Sequence, residues 1–121
     1  MGRDFKKIKA WQLADELVLQ VYSKTKLFPK EELYGITSQL RRAAVSVVTN
    51  IVEGANRRHK KEYLHFLFVA NGSAAEVKYL LYLTHRLGYL VDSEYAELEN
   101  LREETAKTLS GLISSVRKET E

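Results

Sequence analysis

The chain has 121 residues, no cysteine, one proline and a net charge of +3 at neutral pH. As one domain over residues 1–121 it is long enough to bury a core without disulfide or metal staples, and the missing cysteines exclude thiolate nucleophiles, redox dithiols and cysteine-bound zinc. No apolar run approaches the roughly 20 residues that span a bilayer, and the basic opening MGRDFKKIK lacks the apolar stretch of a secretory signal, so a cytoplasmic location without membrane contact is expected.

Apolar residues recur at helical spacing throughout, which predicts an all-α protein. The first helix is predicted from about Asp4, its N-cap, to Lys26, with Phe5, Ile8, Trp11, Val18, Val21 and Tyr22 inside. LFPKEE interrupts it. Pro29 suits the first turn of a second helix, and Glu31 and Glu32 suit that helix's positive end. The second helix is predicted to reach Gly54, read as a C-terminal glycine.

Residues 39–58, QLRRAAVSVVTNIVEGANRR, are the most informative stretch. At about 100° per residue from Leu40, the side chains of Leu40, Ala43, Ala44, Val47 and Ile51 share one side, and Val45, Val48 and Val52 fall roughly 100–140° around it. The apolar arc is about 200° wide, where one core contact needs little more than ~100°. The surplus predicts a second partner. Arg42, Ser46, Thr49 and Glu53 form a polar line, but Arg41 falls inside the apolar arc, where it must snorkel or pair with a carboxylate across an interface. Asn50 borders the core and is expected to satisfy a neighbouring polar group.

A basic turn follows, made of Arg57, Arg58, Lys60 and Lys61 around His59, and Lys6, Lys7 and Lys9 form a second basic patch. Helix three is predicted from about Lys60 to Leu87. Its seam, Tyr63, Phe66, Ala70, Ser73, Val77, Leu80, Thr84 and Leu87, alternates threes and fours, the packing pattern of antiparallel bundles. Leu64, Phe68, Ala75, Tyr79 and Tyr82 give this helix a second apolar side. Gly88 closes it, and Asp92 or Ser93 caps helix four, whose inner line is Tyr95, Leu98, Leu101, Thr105, Leu109, Leu112 and Val116.

Four helices with short connections predict an antiparallel up-and-down four-helix bundle. The surplus apolar surface of helices two and three predicts a homo-oligomer, with Arg41, Val45, Val48, Val52, Leu64, Phe68, Tyr79 and Tyr82 at its interface. The plainer alternative makes these two helices the most buried pair of a monomer.

Chemistry is sparse. Glu62-x-x-His65 has the spacing used in di-iron bundles, which need two such motifs and further glutamates. One copy reads as a surface pair, and no metal or cofactor is expected. Arg58 and His65 loosely resemble the Arg…His pair of the HEPN bundle ribonucleases, where histidine moves a proton and arginine stabilises charge on phosphate. No further catalytic polar group accompanies them, so no enzyme is expected. The cations Arg57, Arg58, Lys60 and Lys61, helped by Lys6, Lys7 and Lys9, suit a phosphate backbone, with His59 and Tyr63 as candidate stacking rings. No motif for sequence-specific reading accompanies them. The alternative for the basic run is solvated charge that merely prevents aggregation, and the alternative for the whole chain is a scaffold that binds another protein without nucleic acid.

The chain resembles the four-helix bundle family first noticed in intervening sequences of bacterial 23S ribosomal RNA genes, the S23 family. The resemblance rests on AWQLADEL at 10–17, LFPKEELYGITSQLRRAAVSVVTNIVEG at 27–54, the basic-aromatic start of helix three, FVANGSAAEVKYLL at 68–81 and HRLGYL at 85–90. The family usually carries a proline two residues after Ser46. Val48 stands there, so the resemblance brings no proline kink into helix two. It implies a left-handed up-and-down bundle, a ring-like homopentamer and no established catalytic activity. A related accessory protein of diversity-generating retroelements is a basic pentamer that binds nucleic acid and the reverse transcriptase, which by analogy implies RNA or DNA as a partner here.

Overall fold

In a computed structural model describing residues 3–119, four α-helices form the molecule: α1 (Lys9–Thr25), α2 (Ile36–Ala55), α3 (Lys60–Arg86) and α4 (Asp92–Lys118). Two single turns of 3-10 helix, Phe5–Lys7 and Lys30–Glu32, precede α1 and α2. Each helix packs on its sequence neighbours, and α4 closes back onto α1. This is the expected up-and-down bundle. Small residues set its spacing, since Ala10 and Ala14 of α1, Ala44 of α2, and Ala70 and Ala74 of α3 are all buried. Around them pack Leu17, Val21, Leu40, Val47, Ile51, Leu67, Val77, Leu81, Leu98, Leu109 and Ile113.

The helix starts differ from expectation. α1 begins at Lys9, because Ile8 is extended and Asp4 caps only the preceding turn, accepting from the Lys6 N–H at 3.1 Å. The turn folds Phe5 back against Trp11, ring centroids 5.1 Å apart and edge to face. α2 begins at Ile36 rather than at Pro29. Glu32 bridges the gap: one carboxylate oxygen accepts from the Ile36 N–H at 3.4 Å, the other from the Tyr89 hydroxyl at 2.9 Å.

Gly54 does not end α2. It is buried within the helix, where a β-carbon would lie 2.9 Å from the Phe66 β-carbon and 3.0 Å from a Tyr63 ring carbon. The glycine lets the end of α2 meet the start of α3. The glycine that does end a helix is Gly88, at φ 82°, a left-handed conformation that costs other residues energy. Val91 caps α4, its backbone N–H donating to the Glu94 carboxylate at 3.2 Å, so Asp92 and Ser93 lie inside the first turn.

The inner faces are rotated slightly from those expected. On α1, Tyr22 is exposed and the line runs Ala10, Ala14, Leu17, Val21. On α3, Leu67, Ala74 and Leu81 are buried, Phe66 and Ser73 only partly, and Leu87 is exposed. On α4, Arg102 and Ile113 are buried while Tyr95, Leu101 and Leu112 are half-buried. Arg102 is 6% exposed and donates to both carboxylate oxygens of Glu99, at 2.6 and 2.8 Å. Between α2 and α3, Ser46 and Ser73 share a hydroxyl hydrogen bond of 2.8 Å, and the Asn50 amide donates to the Ser46 carbonyl at 2.8 Å. Asn50 thus has the local partner expected of it. Val48 is half-buried against the core, and α2 is continuous through it.

Candidate nucleic-acid interface

The up-and-down path brings the start of α1, the end of α2, the start of α3 and the end of α4 to one end of the molecule. Arg3 joins the chain before α1 to the end of α2 and the start of α3. Its backbone N–H donates to the Ala55 carbonyl at 3.1 Å, its guanidinium donates to the Arg57 carbonyl at 3.0 Å, and the same guanidinium lies over the Tyr63 ring at 4.0 Å. The patches at 6–9 and 57–61, distant in sequence, therefore belong to the same end of the bundle.

The cations divide by what they touch. Lys60 donates to the backbone carbonyls of Arg117 and Glu119, at 3.2 and 2.6 Å, and so holds the negative end of α4. Arg57 pairs with Glu53 at 3.8 Å and lies over the Phe66 ring at 4.8 Å. Arg58, Lys61, Lys6, Lys7 and Lys9 are exposed, and their side chains make no ion pair among the described residues. Arg117 extends the same end and lies over the Phe68 ring at 4.9 Å. Sequence reasoning passed over Arg3 and Arg117 because neither stands in a run of three or more cations.

Tyr63 cannot stack on a base. It is 2% exposed, beneath Arg3, and burial raises its phenol pKa while the neighbouring Arg3 pulls it the other way. Its place in the apolar seam already pointed there. His59, by contrast, is exposed at the N-cap of α3. Beside the turn, Arg57, Lys61, Glu62, His65 and Phe66 line an open groove of about 440 Å³. The His65 and Phe66 rings meet edge to face there, with centroids 5.3 Å apart. A smaller groove of about 240 Å³ lies between Arg3, Phe5, Val52, Glu53, Asn56 and Arg57.

Arg58 lies in the turn before α3 and does not line the His65 groove, which holds Arg57 instead. No group of three His, Asp or Glu side chains that could hold a metal occurs among the described residues.

The residues expected at an oligomer interface fall into two sets. On α2, Val45, Val48 and Val52 are half-buried, and Arg41 has partners within the chain: it donates to the Thr25 hydroxyl at 2.8 Å and lies over the Tyr22 ring at 4.6 Å. On α3, Leu64 is half-buried, whereas Phe68, Tyr79 and Tyr82 are 44%, 54% and 48% exposed. Leu27 and Tyr34, on the connection to α2, are more exposed still, at 91% and 94%. Sequence spacing does not single them out, because Leu27 falls in the break before Pro29 and Tyr34 in what reads as the first turns of the second helix.

Fold and site together define a small antiparallel helical bundle with a cluster of exposed cations at one end. Residues 6–111 match the sequence profile of the 23S rRNA-intervening sequence protein family, and the chain belongs to that family. Its fold is similar to the 1.70 Å crystal structure of a protein of unknown function from the S23 ribosomal protein family of Bacteroides thetaiotaomicron VPI-5482. That likeness has a TM-score of 0.80 at 22% identity and covers 87% of this chain and 95% of that one. No curated protein matches the chain significantly. No helix among the described residues is long and apolar enough to cross a membrane.

Proposed function

We propose that the protein is a non-enzymatic homo-oligomeric bundle, a pentamer by the number its family resemblance implies, that holds RNA or DNA by its phosphates at the basic end. The observation carrying this reading is that Arg58, Lys61, Lys6, Lys7 and Lys9 lie at one end, exposed and without ion pairs among the described residues. Cations not already neutralised gain most from meeting a phosphate, because each such pairing releases a condensed counterion. Lys60 contributes less directly, since its ammonium already holds α4.

Replacing Arg58, Lys61, Lys6 and Lys7 with glutamine should weaken binding of a labelled single-stranded RNA at low salt. The slope of log K against log salt should also shrink by about 0.7 for each phosphate that is no longer neutralised. Unchanged binding and slope in the quadruple variant would sink the assignment.

A second reading, a scaffold that binds another protein and no nucleic acid, draws on the exposed Leu27 and Tyr34. Absence of RNA and DNA binding at about 50 mM salt would favour it, because electrostatic binding is strong there. The ribonuclease reading predicts cleavage that disappears in His65→Ala, and RNA left intact by the wild-type protein dismisses it.

A further inference from the structure

The rings expected to stack on a base were His59 and Tyr63, and the burial of Tyr63 leaves the aromatic part of such a site unassigned. The groove over the first two turns of α3 supplies it. His65 is exposed on the groove wall, and Phe66 is partly open beside it. Phe66 is held in place because Gly54 has no side chain to push it away from α2. The Arg57 guanidinium already lies over the Phe66 ring, 4.8 Å from its centroid. Flat cations and aromatic rings are the two kinds of surface on which unpaired bases stack. Lys61 lines the same groove, and Arg58 stands in the adjoining turn. Glu62, also on the lining, repels a phosphate from that side, which leaves the groove to the base. A base inside a duplex is not available to such a groove without the cost of extruding it.

We infer that the groove lined by Arg57, Lys61, Glu62, His65 and Phe66 takes an unpaired nucleobase of a single-stranded polynucleotide, whose flanking phosphates lie on Arg57, Arg58 and Lys61. This rests on the reading of the basic end as a phosphate-binding surface and adds a preference for single strands. The bound base stacks on the His65 ring and meets the Phe66 ring, set at 74° to His65, edge to face. Stacking is indifferent to base identity and to the 2′-hydroxyl, so the preference is for strandedness, not sequence.

The test uses the intact protein at low salt with four probes of equal length: single-stranded RNA, single-stranded DNA, an abasic strand and a blunt duplex. Base-bearing single strands should bind about 10-fold tighter than the abasic strand, within the range of one stacked base. His65→Ala, at an exposed helical position, should abolish most of that gain and leave abasic binding unchanged. Phe66→Leu should reduce the gain while preserving a side chain against Gly54. Imidazole proton resonances of His65, assigned by their loss in His65→Ala, should move upfield with base-bearing strands and stay put with the abasic one.

An equal gain with RNA and DNA, absent from the blunt duplex, supports the site, and a gain confined to one sugar or shared by the duplex overturns a preference for strandedness alone. Equal binding of abasic and base-bearing strands, or an undiminished gain in His65→Ala, overturns the base site and leaves the phosphate reading standing. His65 resonances that respond equally to a polyglutamate peptide mark a groove for negative charge alone and also overturn it. Failure of every polyanion to bind removes both readings.

Discussion

At Gly54 the missing side chain lets two helices approach, whereas at Gly72 and Gly111 a β-carbon would meet nothing within 4 Å. Opposite consequences follow for the same substitution. Gly54→Ala gains up to ~1 kcal/mol of helix propensity but forces a methyl against the Phe66 and Tyr63 side chains, an overpacking that costs about 1–3 kcal/mol. The expected result is a lower denaturation midpoint. Gly111→Ala meets open space and should raise stability by about 0.5–1 kcal/mol. Urea titration of both variants checks the pair, and a stabilised Gly54→Ala would show that α2 and α3 can part without loss. Arg102 illustrates the limit of reading single residues. A charged side chain ordinarily stays in solvent, yet Arg102 is buried, and Glu99 one turn earlier satisfies the guanidinium and raises its pKa against the opposing effect of burial. That pairing was visible as spacing but carried no sign of direction, because i, i+3 charge pairs are common on exposed faces too.

Element existence was legible because apolar periodicity persists for many turns in every helix. Element starts were not, because Asp4 and Pro29 are helix-start residues used here for single 3-10 turns. Tertiary packing chose those turns: Phe5 folds onto Trp11, and Glu32 joins the start of α2 to the connection between α3 and α4. The inner face of α3 was displaced by a fraction of a turn for a related reason. Counting large residues favours Phe66 over Leu67, while the close α2–α3 approach puts Leu67 inward and leaves Phe66 at the groove. The candidate site suffered most from that displacement, since the basic residues were legible by type and the aromatic ones depended on rotation. The Glu32 clasp makes its own prediction. Its hydrogen bond is the main cause that raises the Tyr89 hydroxyl pKa above the ordinary 10.0. A raised folded value means stability that is whole below about pH 10 and is lost as pH climbs through the folded value. Tyr89→Phe keeps the ring beside Phe28, so it should lower the melting temperature at neutral pH and flatten the decline above pH 10. An alkaline melting profile identical to wild type would remove the clasp from the account.

Over the whole molecule, α3 carries two heptad-spaced faces, one buried and one exposed. The outer one runs Phe68, Gly72, Ala75, Tyr79 and Tyr82, large rings flanking small residues, all exposed. An isolated bundle gains nothing from displaying such a face, and a glycine there weakens its helix. A second copy of the chain gives both features a use, because small residues admit a neighbouring helix and the rings cover it. Disruption is best aimed at Tyr79. Val48 packs on its own core, so Val48→Asp places a carboxylate among apolar groups of the same chain and should unfold the subunit as well as the assembly. Tyr79→Glu should instead give helical monomers by sedimentation, and a wild-type chain that sediments as a monomer sinks the assembly outright. Assembly also predicts how the basic ends act together. Several copies on one long strand turn the later binding events into intramolecular ones, which raises avidity by about 10²–10⁴-fold. Tyr79→Glu should therefore lose most of its affinity for a long single strand yet keep the wild-type affinity for a strand that fills one site. Equal loss on both would place Tyr79 in the binding surface itself.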